Sequence, residues 1–107
     1  RYRAPMPNQP LTVAAFQKLI RDRYYPTDSA RGTPGTFMWF VEEVGELATA
    51  LQNNAPGKSP TTDQQANLSE EFADVLAWLC TLANINNIDL ESALRKYTEP
   101  GVEGVKD

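Results

Sequence analysis

An all-α fold is predicted by three features of this sequence. Apolar residues recur at intervals of three and four in each long segment, and no segment alternates as a half-buried strand would. Each apolar run also follows a residue able to cap a helix N-terminus: Thr12, Thr36, Thr62 and Asp89. Four helices are therefore expected.

The first covers Thr12 to Tyr25, with Val13, Phe16, Ile20 and Tyr24 on one face. Pro26 and the stretch TDSARGTPG, rich in Ser, Thr, Gly and Pro, are expected to break the chain into a loop. Thr36 then caps a second helix from Phe37 to about Asn53, whose apolar stripe is Phe40, Val44, Leu47, Ala48 and Leu51. The run NNAPGKSP reads as a turn, after which Thr62 and Gln65 have the capping-box spacing for a long third helix reaching Asn86. Leu68, Phe72, Val75, Leu76, Leu79 and Ala83 are its core-facing positions. Asp89 caps a short fourth helix that ends near Thr98, and Pro100 with the glycines after it closes the ordered part. The domain is thus expected over residues 12–98, with a disordered lead at 1–11 and a flexible tail at 99–107.

Composition narrows the chemistry. The chain has 107 residues and no histidine, which excludes Ser-His-Asp and Cys-His nucleophile systems, imidazole bases and any metal site that needs an imidazole nitrogen. Chemistry must run on carboxylates, lysines, hydroxyls or a bound cation. The single cysteine, Cys80, cannot form an internal disulfide and reads as a small buried hydrophobe. A reducing cytoplasm is the expected location. No apolar run approaches the roughly 20 residues of a membrane span, so no membrane partner is expected. The net charge is -4, and seven of the 14 acids lie between residues 41 and 75 with only Lys58 among them. Such a sequence is a poor candidate for stable nucleic-acid binding through counterion release, which calls for a basic face. A chain of about 100 residues buries only roughly two thirds of its unfolded surface, so the core is expected to be completed by oligomerisation.

The strongest pattern is an internal echo 28 residues apart, Glu42-Glu43-Val44-Gly45-Glu46-Leu47 against Glu70-Glu71-Phe72-Ala73-Asp74-Val75. With Glu43 at zero on a helical wheel of about 100° per residue, Glu46 falls near 300°, the apolar stripe at about 40° to 100°, and Glu42 near 260°. Glu43 and Glu46 therefore flank the core face while Glu42 points to water. The third helix repeats this with Glu71 and Asp74 beside its stripe and Glu70 opposite. Residues at i and i+3 lie over one another, so either pair can hold a cation. Four carboxylates brought together by side-by-side helices repel, and they all ionise only if a multivalent cation neutralises them. Oxygen-only ligation suits Mg²⁺, with Mn²⁺ a possible substitute, rather than zinc. Gly45 and Ala73, at matching places in the echo, are expected to let the helices approach. The alternative is a pair of solvated charged faces.

These residues resemble a known family. The run Phe37 to Ala48 (FMWFVEEVGELA), then Glu70 to Trp78 (EEFADVLAW), Leu82-Ala83-Asn84 and Ile88 to Leu94 are similar to the MazG-like nucleotide pyrophosphohydrolases of the short single-domain type. The likeness spans residues 12 to 97. The family's Glu-x-x-Glu and Glu-x-x-Asp pair is matched by Glu43, Glu46, Glu71 and Asp74, with 24 residues between the two motifs. The resemblance implies a four-helix bundle completed as a homodimer or homotetramer. It also implies hydrolysis of nucleoside triphosphates, canonical or modified, between the α and β phosphates, giving monophosphate and pyrophosphate. Mg²⁺ is the implied cofactor, with the four carboxylates as catalytic metal ligands and one of them accepting the water's proton.

Where many relatives have lysine, asparagine and arginine after the last helix, this chain has Lys96-Tyr97 followed by Thr98-Glu99-Pro100-Gly101, so only the lysine is matched. Lys96 is a phosphate candidate, or a helix-end cation favoured by the dipole. Arg31 either reaches a phosphate from its loop or sits in solvent. Trp39 and Trp78, one turn from Glu43 and Asp74, either stack on a base or pack in the core or a subunit interface. Two other readings stand beside the leading one: phosphoribosyl-ATP pyrophosphohydrolase, which shares fold and chemistry, and a non-catalytic helical oligomerisation module. A ferritin-like di-iron bundle requires Glu-x-x-His and is excluded by composition.

Overall fold

A computed structural model of the chain describes residues 10–100, and the lead expected at 1–11 and the tail expected at 99–107 lie mostly outside the described residues. Helix is the only regular structure among the described residues: α1 spans Val13–Asn53, α2 Thr62–Ile85 and α3 Leu90–Leu94, followed by a 3₁₀ turn at Arg95–Tyr97. The first two expected helices meet without a loop between them and form the two arms of α1. Their junction is a kink at Gly32, whose φ of 78° and ψ of 175° suit only a residue without a Cβ. The first arm of α1 (residues 13–31) and the second (33–53) correspond to the first two expected helices.

The loop expected from Pro26 to Gly35 is thus corrected to helix on both sides of one residue. Pro26 removes a single helical hydrogen bond, yet the arm continues because its later residues pack inward: Asp28 is buried, like Ile20 two turns before it. Tertiary packing outweighs local propensity here. Pro34 falls in the first turn of the second arm, where a missing N–H has no intrahelical partner to lose. Thr36 is not a cap. It is completely buried, and its Oγ1 accepts a hydrogen bond from Arg31 Nη1 at 3.2 Å.

Thr12 caps α1 as expected, its hydroxyl accepting from the Ala15 amide at 3.0 Å. α2 is capped one residue earlier than expected. Thr61 Oγ1 accepts from Gln64 N at 3.1 Å, while Thr61 N donates to Gln64 Oε1 at 2.9 Å. The tandem Thr61-Thr62 and Gln64-Gln65 offered two registers, and the one adopted also sets Asp63 in the first turn, where its charge complements the dipole. Beyond α2, Asn87 turns the chain with φ 57°, and Asp89 caps α3 by accepting from Ser92 N at 3.3 Å.

The second arm of α1 runs antiparallel to α2. Asn54 Nδ2 donates to the Gln64 carbonyl at 3.2 Å at one end, Trp39 stacks on Trp78 midway, and Asn86 Nδ2 donates to Thr33 Oγ1 at 3.1 Å at the other. The first arm is tied to the end of α2 by paired carboxamides. Gln17 Nε2 donates to Asn84 Oδ1 at 3.0 Å and to the Ile88 carbonyl at 2.7 Å, Gln17 Oε1 accepts from Leu90 N at 3.0 Å, and Asn84 Nδ2 donates to the Gln17 carbonyl at 3.2 Å. Buried carboxamides are tolerated because they are satisfied. Asn84→Ala removes two of these buried bonds and is expected to lower the unfolding free energy by about 1–3 kcal/mol, read from the midpoint of urea unfolding.

The apolar core is small: among the described residues Ile20, Ala50, Cys80 and Ala83 are the buried apolar ones. Of the stripe positions expected to be core, Val44, Leu51, Phe72, Leu76 and Leu79 are exposed, together with Phe37, Met38 and Val41. The stripes are wider than two packed helices can cover, so part of each remains on the surface of the single chain. Gly45 and Ala73 also face outward, and a Cβ on Gly45 would meet nothing within 4 Å. Within one chain they do not mediate the helix approach expected of them.

Candidate functional site

Antiparallel packing sets the two halves of the sequence echo against each other. Glu43, half-buried on the second arm of α1, meets Glu71, 7% exposed on α2, and one carboxylate oxygen from each lies within 4.8 Å of the other and of one from Asp74. Glu46, one turn beyond Glu43, is exposed but close enough to act on both Glu43 and Glu71. The four acids singled out in the sequence therefore lie together. Glu42 and Glu70 are exposed, and Glu42 can draw an oxygen to within 4.8 Å of Glu43 and Glu46, but with no contribution from α2.

The electrostatic consequence is a site ill at ease without a cation. Burial pushes the Glu43 carboxyl up to about 7, helped next by its proton-sharing contact with Glu46 and then by the charges of Glu46, Asp74 and Glu71. Burial likewise raises Glu71 to about 7, with a contact to Asp74 second and the charge of Glu46 third. Glu43 Oε2 is buried and has no hydrogen-bond partner. A buried orphan oxygen, two carboxyls that resist ionisation and an all-oxygen donor set fit a hard divalent cation better than any arrangement the protein itself supplies.

A cavity of about 360 Å³ adjoins this cluster, and Asp74 belongs to both. Its other walls include Ile20, Tyr24, Asp28, Arg31, Trp78 and Thr81, from the first arm of α1 and from α2. Arg31 is not in a loop and does not hang in solvent. Its Nη1 donates to Asp28 Oδ1 at 3.3 Å and to Thr36 Oγ1, and its guanidinium lies 5.1 Å from the Trp78 ring. Trp78 also stacks on Trp39, with centroids 6.3 Å apart and planes at 15°. These contacts make the Trp78 ring a fixed wall. Lys96 is exposed in the 3₁₀ turn, its ammonium 5.3 Å from the Tyr97 ring, and it is not among the residues lining the cavity.

The family model for the MazG nucleotide pyrophosphohydrolase domain matches residues 33–99, which include both carboxylate motifs. The chain belongs to that family. No curated protein matches the chain. The matched segment of this MazG domain begins at Thr33, directly after the kink, so the first arm with Tyr24, Asp28 and Arg31 precedes it.

Sequence reasoning named Arg31 but missed Asp28, Tyr24 and Thr81 as cavity walls. A signal was present: Gln17, Ile20, Tyr24, Asp28 and Arg31 follow at intervals of three and four. The proline and glycine content of 26–35 hid it by suggesting a loop.

Proposed function

We propose that this MazG domain hydrolyses nucleoside triphosphates between the α and β phosphates, releasing the monophosphate and pyrophosphate, with Mg²⁺ as the cofactor and Mn²⁺ as a substitute. The observation that carries the reading is the convergence of Glu43, Glu71 and Asp74 within 4.8 Å, with Glu46 coupled to them, at the edge of a cavity. Glu43, Glu46, Glu71 and Asp74 would hold the metal. When bound it supplies positive charge for the phosphate oxygens and a more acidic water.

The chain's own groups do the rest. By holding the cation, four carboxylates from two helices would fix where the triphosphate sits relative to the cavity, so that the reacting anhydride is presented in one orientation. A carboxylate not fully engaged accepts the proton from the attacking water as its oxygen bonds to one of the two phosphorus atoms flanking the α–β bridge; that phosphorus's bond to the bridging oxygen breaks, and monophosphate and pyrophosphate separate. Lys96 is proposed only as a distant phosphate contact from the last turn. The exposed apolar residues of α1 and α2 support a homodimer or homotetramer, in which second copies cover them. The free, buried Cys80 is consistent with the cytoplasmic location proposed for this chain, and no helix among the described residues is long and apolar enough to cross a membrane.

Incubation with a panel of canonical and modified nucleoside triphosphates and Mg²⁺, with the products resolved chromatographically, tests the reading. Equal amounts of monophosphate and pyrophosphate are expected, abolished by EDTA. Diphosphate and phosphate as products would contradict it.

A further inference from the structure

The acidic cluster accounts for phosphate chemistry but not for the buried polar group on the other side of the same cavity. Asp28 is 4% exposed. Its Oδ1 accepts from Arg31, while its Oδ2 is sealed from solvent and has no hydrogen-bond partner. Arg31 is itself held by Thr36 Oγ1 and lies against Trp78, so it stays on the Oδ1 side. The remaining acceptor belongs to a residue that lines the cavity, and unpartnered buried acceptors are rare enough to require a reason.

We propose that this cavity receives the substrate's nucleobase and that Asp28 is a specificity-determining residue, selecting bases that carry an exocyclic amino group, as cytosine and adenine do. The inference rests on the nucleotide reading above. Asp74 is common to the cluster and the cavity, so a triphosphate held at the carboxylates places its nucleoside at the cavity mouth. At about 360 Å³ the space is at the small end of ligand pockets, about 300–1,000 Å³, which suits one ring system rather than a whole nucleotide. Tyr24 and Trp78 offer aromatic walls for a flat ring, and Thr81 a hydroxyl.

A carboxylate presents acceptors only. Once the carboxylate turns Oδ2 into the cavity, an amino group on the base satisfies it, whereas a carbonyl at the same place brings two oxygen lone pairs together in a site shielded from water. Sites built to hydrogen-bond one group discriminate strongly against an analogue lacking it. Cytosine and uracil, which differ at C4 as amino and carbonyl, are the sharpest comparison, and adenine and hypoxanthine repeat it at C6.

Initial rates of the intact protein with Mg²⁺ on CTP, UTP, ATP and ITP test this. The amino-bearing member of each pair should have a kcat/KM higher by about tenfold, equivalent to about 1.4 kcal/mol. Asp28→Asn keeps the size and the acceptor for Arg31 but can turn an amide N–H toward the base, so the CTP/UTP ratio should collapse or invert, which loss of structure alone would not produce. Quenching of tryptophan fluorescence by the phosphate-free nucleosides cytidine and uridine should follow the same order in the wild-type protein, so the idea stands or falls even if the variant does not fold. Equal efficiency on all four nucleotides, or an Asp28→Asn enzyme with an unchanged ratio, overturns the base assignment while leaving the hydrolase intact. No hydrolysis of any nucleotide overturns the nucleotide reading itself, and this inference with it.

Discussion

Asp74→Ala and Glu46→Ala are each expected to lower kcat/KM for triphosphate hydrolysis by at least about a hundredfold, since even the groups that orient metal ligands are worth about 10- to 100-fold. Glu42→Ala and Glu70→Ala should leave it within a few-fold of wild type. The contrast comes from placement. Asp74 is exposed, so its removal disturbs no core, yet its oxygen lies within 4.8 Å of those of Glu43 and Glu71. Glu46 is equally exposed and acts on both buried carboxyls. Glu42 reaches only its neighbours on α1, and Glu70 belongs to neither carboxylate group among the described residues. Steady-state kinetics with unchanged circular dichroism is the measurement. Equal sensitivity of all four acids would remove the cluster as the seat of the chemistry.

The metal-free protein is expected to lose stability as pH rises from about 4.5 to about 7, and Mg²⁺ to restore it at the upper end. Glu43 and Glu71 titrate near 7 when folded against 4.5 as the ordinary value. Within that interval the folded chain binds more protons than the unfolded one, so stability falls as pH increases. Below 4.5 both states are protonated and the two groups cost nothing; above 7 both are ionised and the penalty is complete. The two belong to one interacting set, so the transition is shared by the cluster rather than assigned to either residue. A divalent cation binds only the ionised folded site, so it should raise the melting temperature at pH 8 and do little at pH 5. Glu71→Gln should flatten the fall in EDTA and also abolish the response to Mg²⁺. Thermal unfolding across this pH series, with and without Mg²⁺, checks both statements. A melting temperature that climbs through the interval in EDTA, or ignores Mg²⁺ at pH 8, would contradict them.

Much of the fold was legible because helices announce themselves locally. The caps at Thr12 and Asp89 were read correctly, and the ends of α2 were placed to within a residue. The misreadings share a cause. By propensity Thr36 caps a helix and Pro26 ends one, yet the helix continues past Pro26 and Thr36 lies buried beneath Arg31. The stripe residues Phe72 and Leu76 were correctly seen to share a face, but a single chain has too few helices to cover that face.

By itself the sequence determined the helical class, the two carboxylate motifs and the side of each helix on which they lie, since all three depend on a periodicity of about 3.6 residues within one segment. Only the tertiary structure decided that Glu43 faces Glu71, that Arg31 is locked between Asp28, Thr36 and Trp78, and that Asp28 and Asp74 open onto one cavity. Residues 28 and 74 are joined by no local period. Their meeting follows from a kink at Gly32 and from how two helices pack across it, and that is settled by burial summed over the whole molecule.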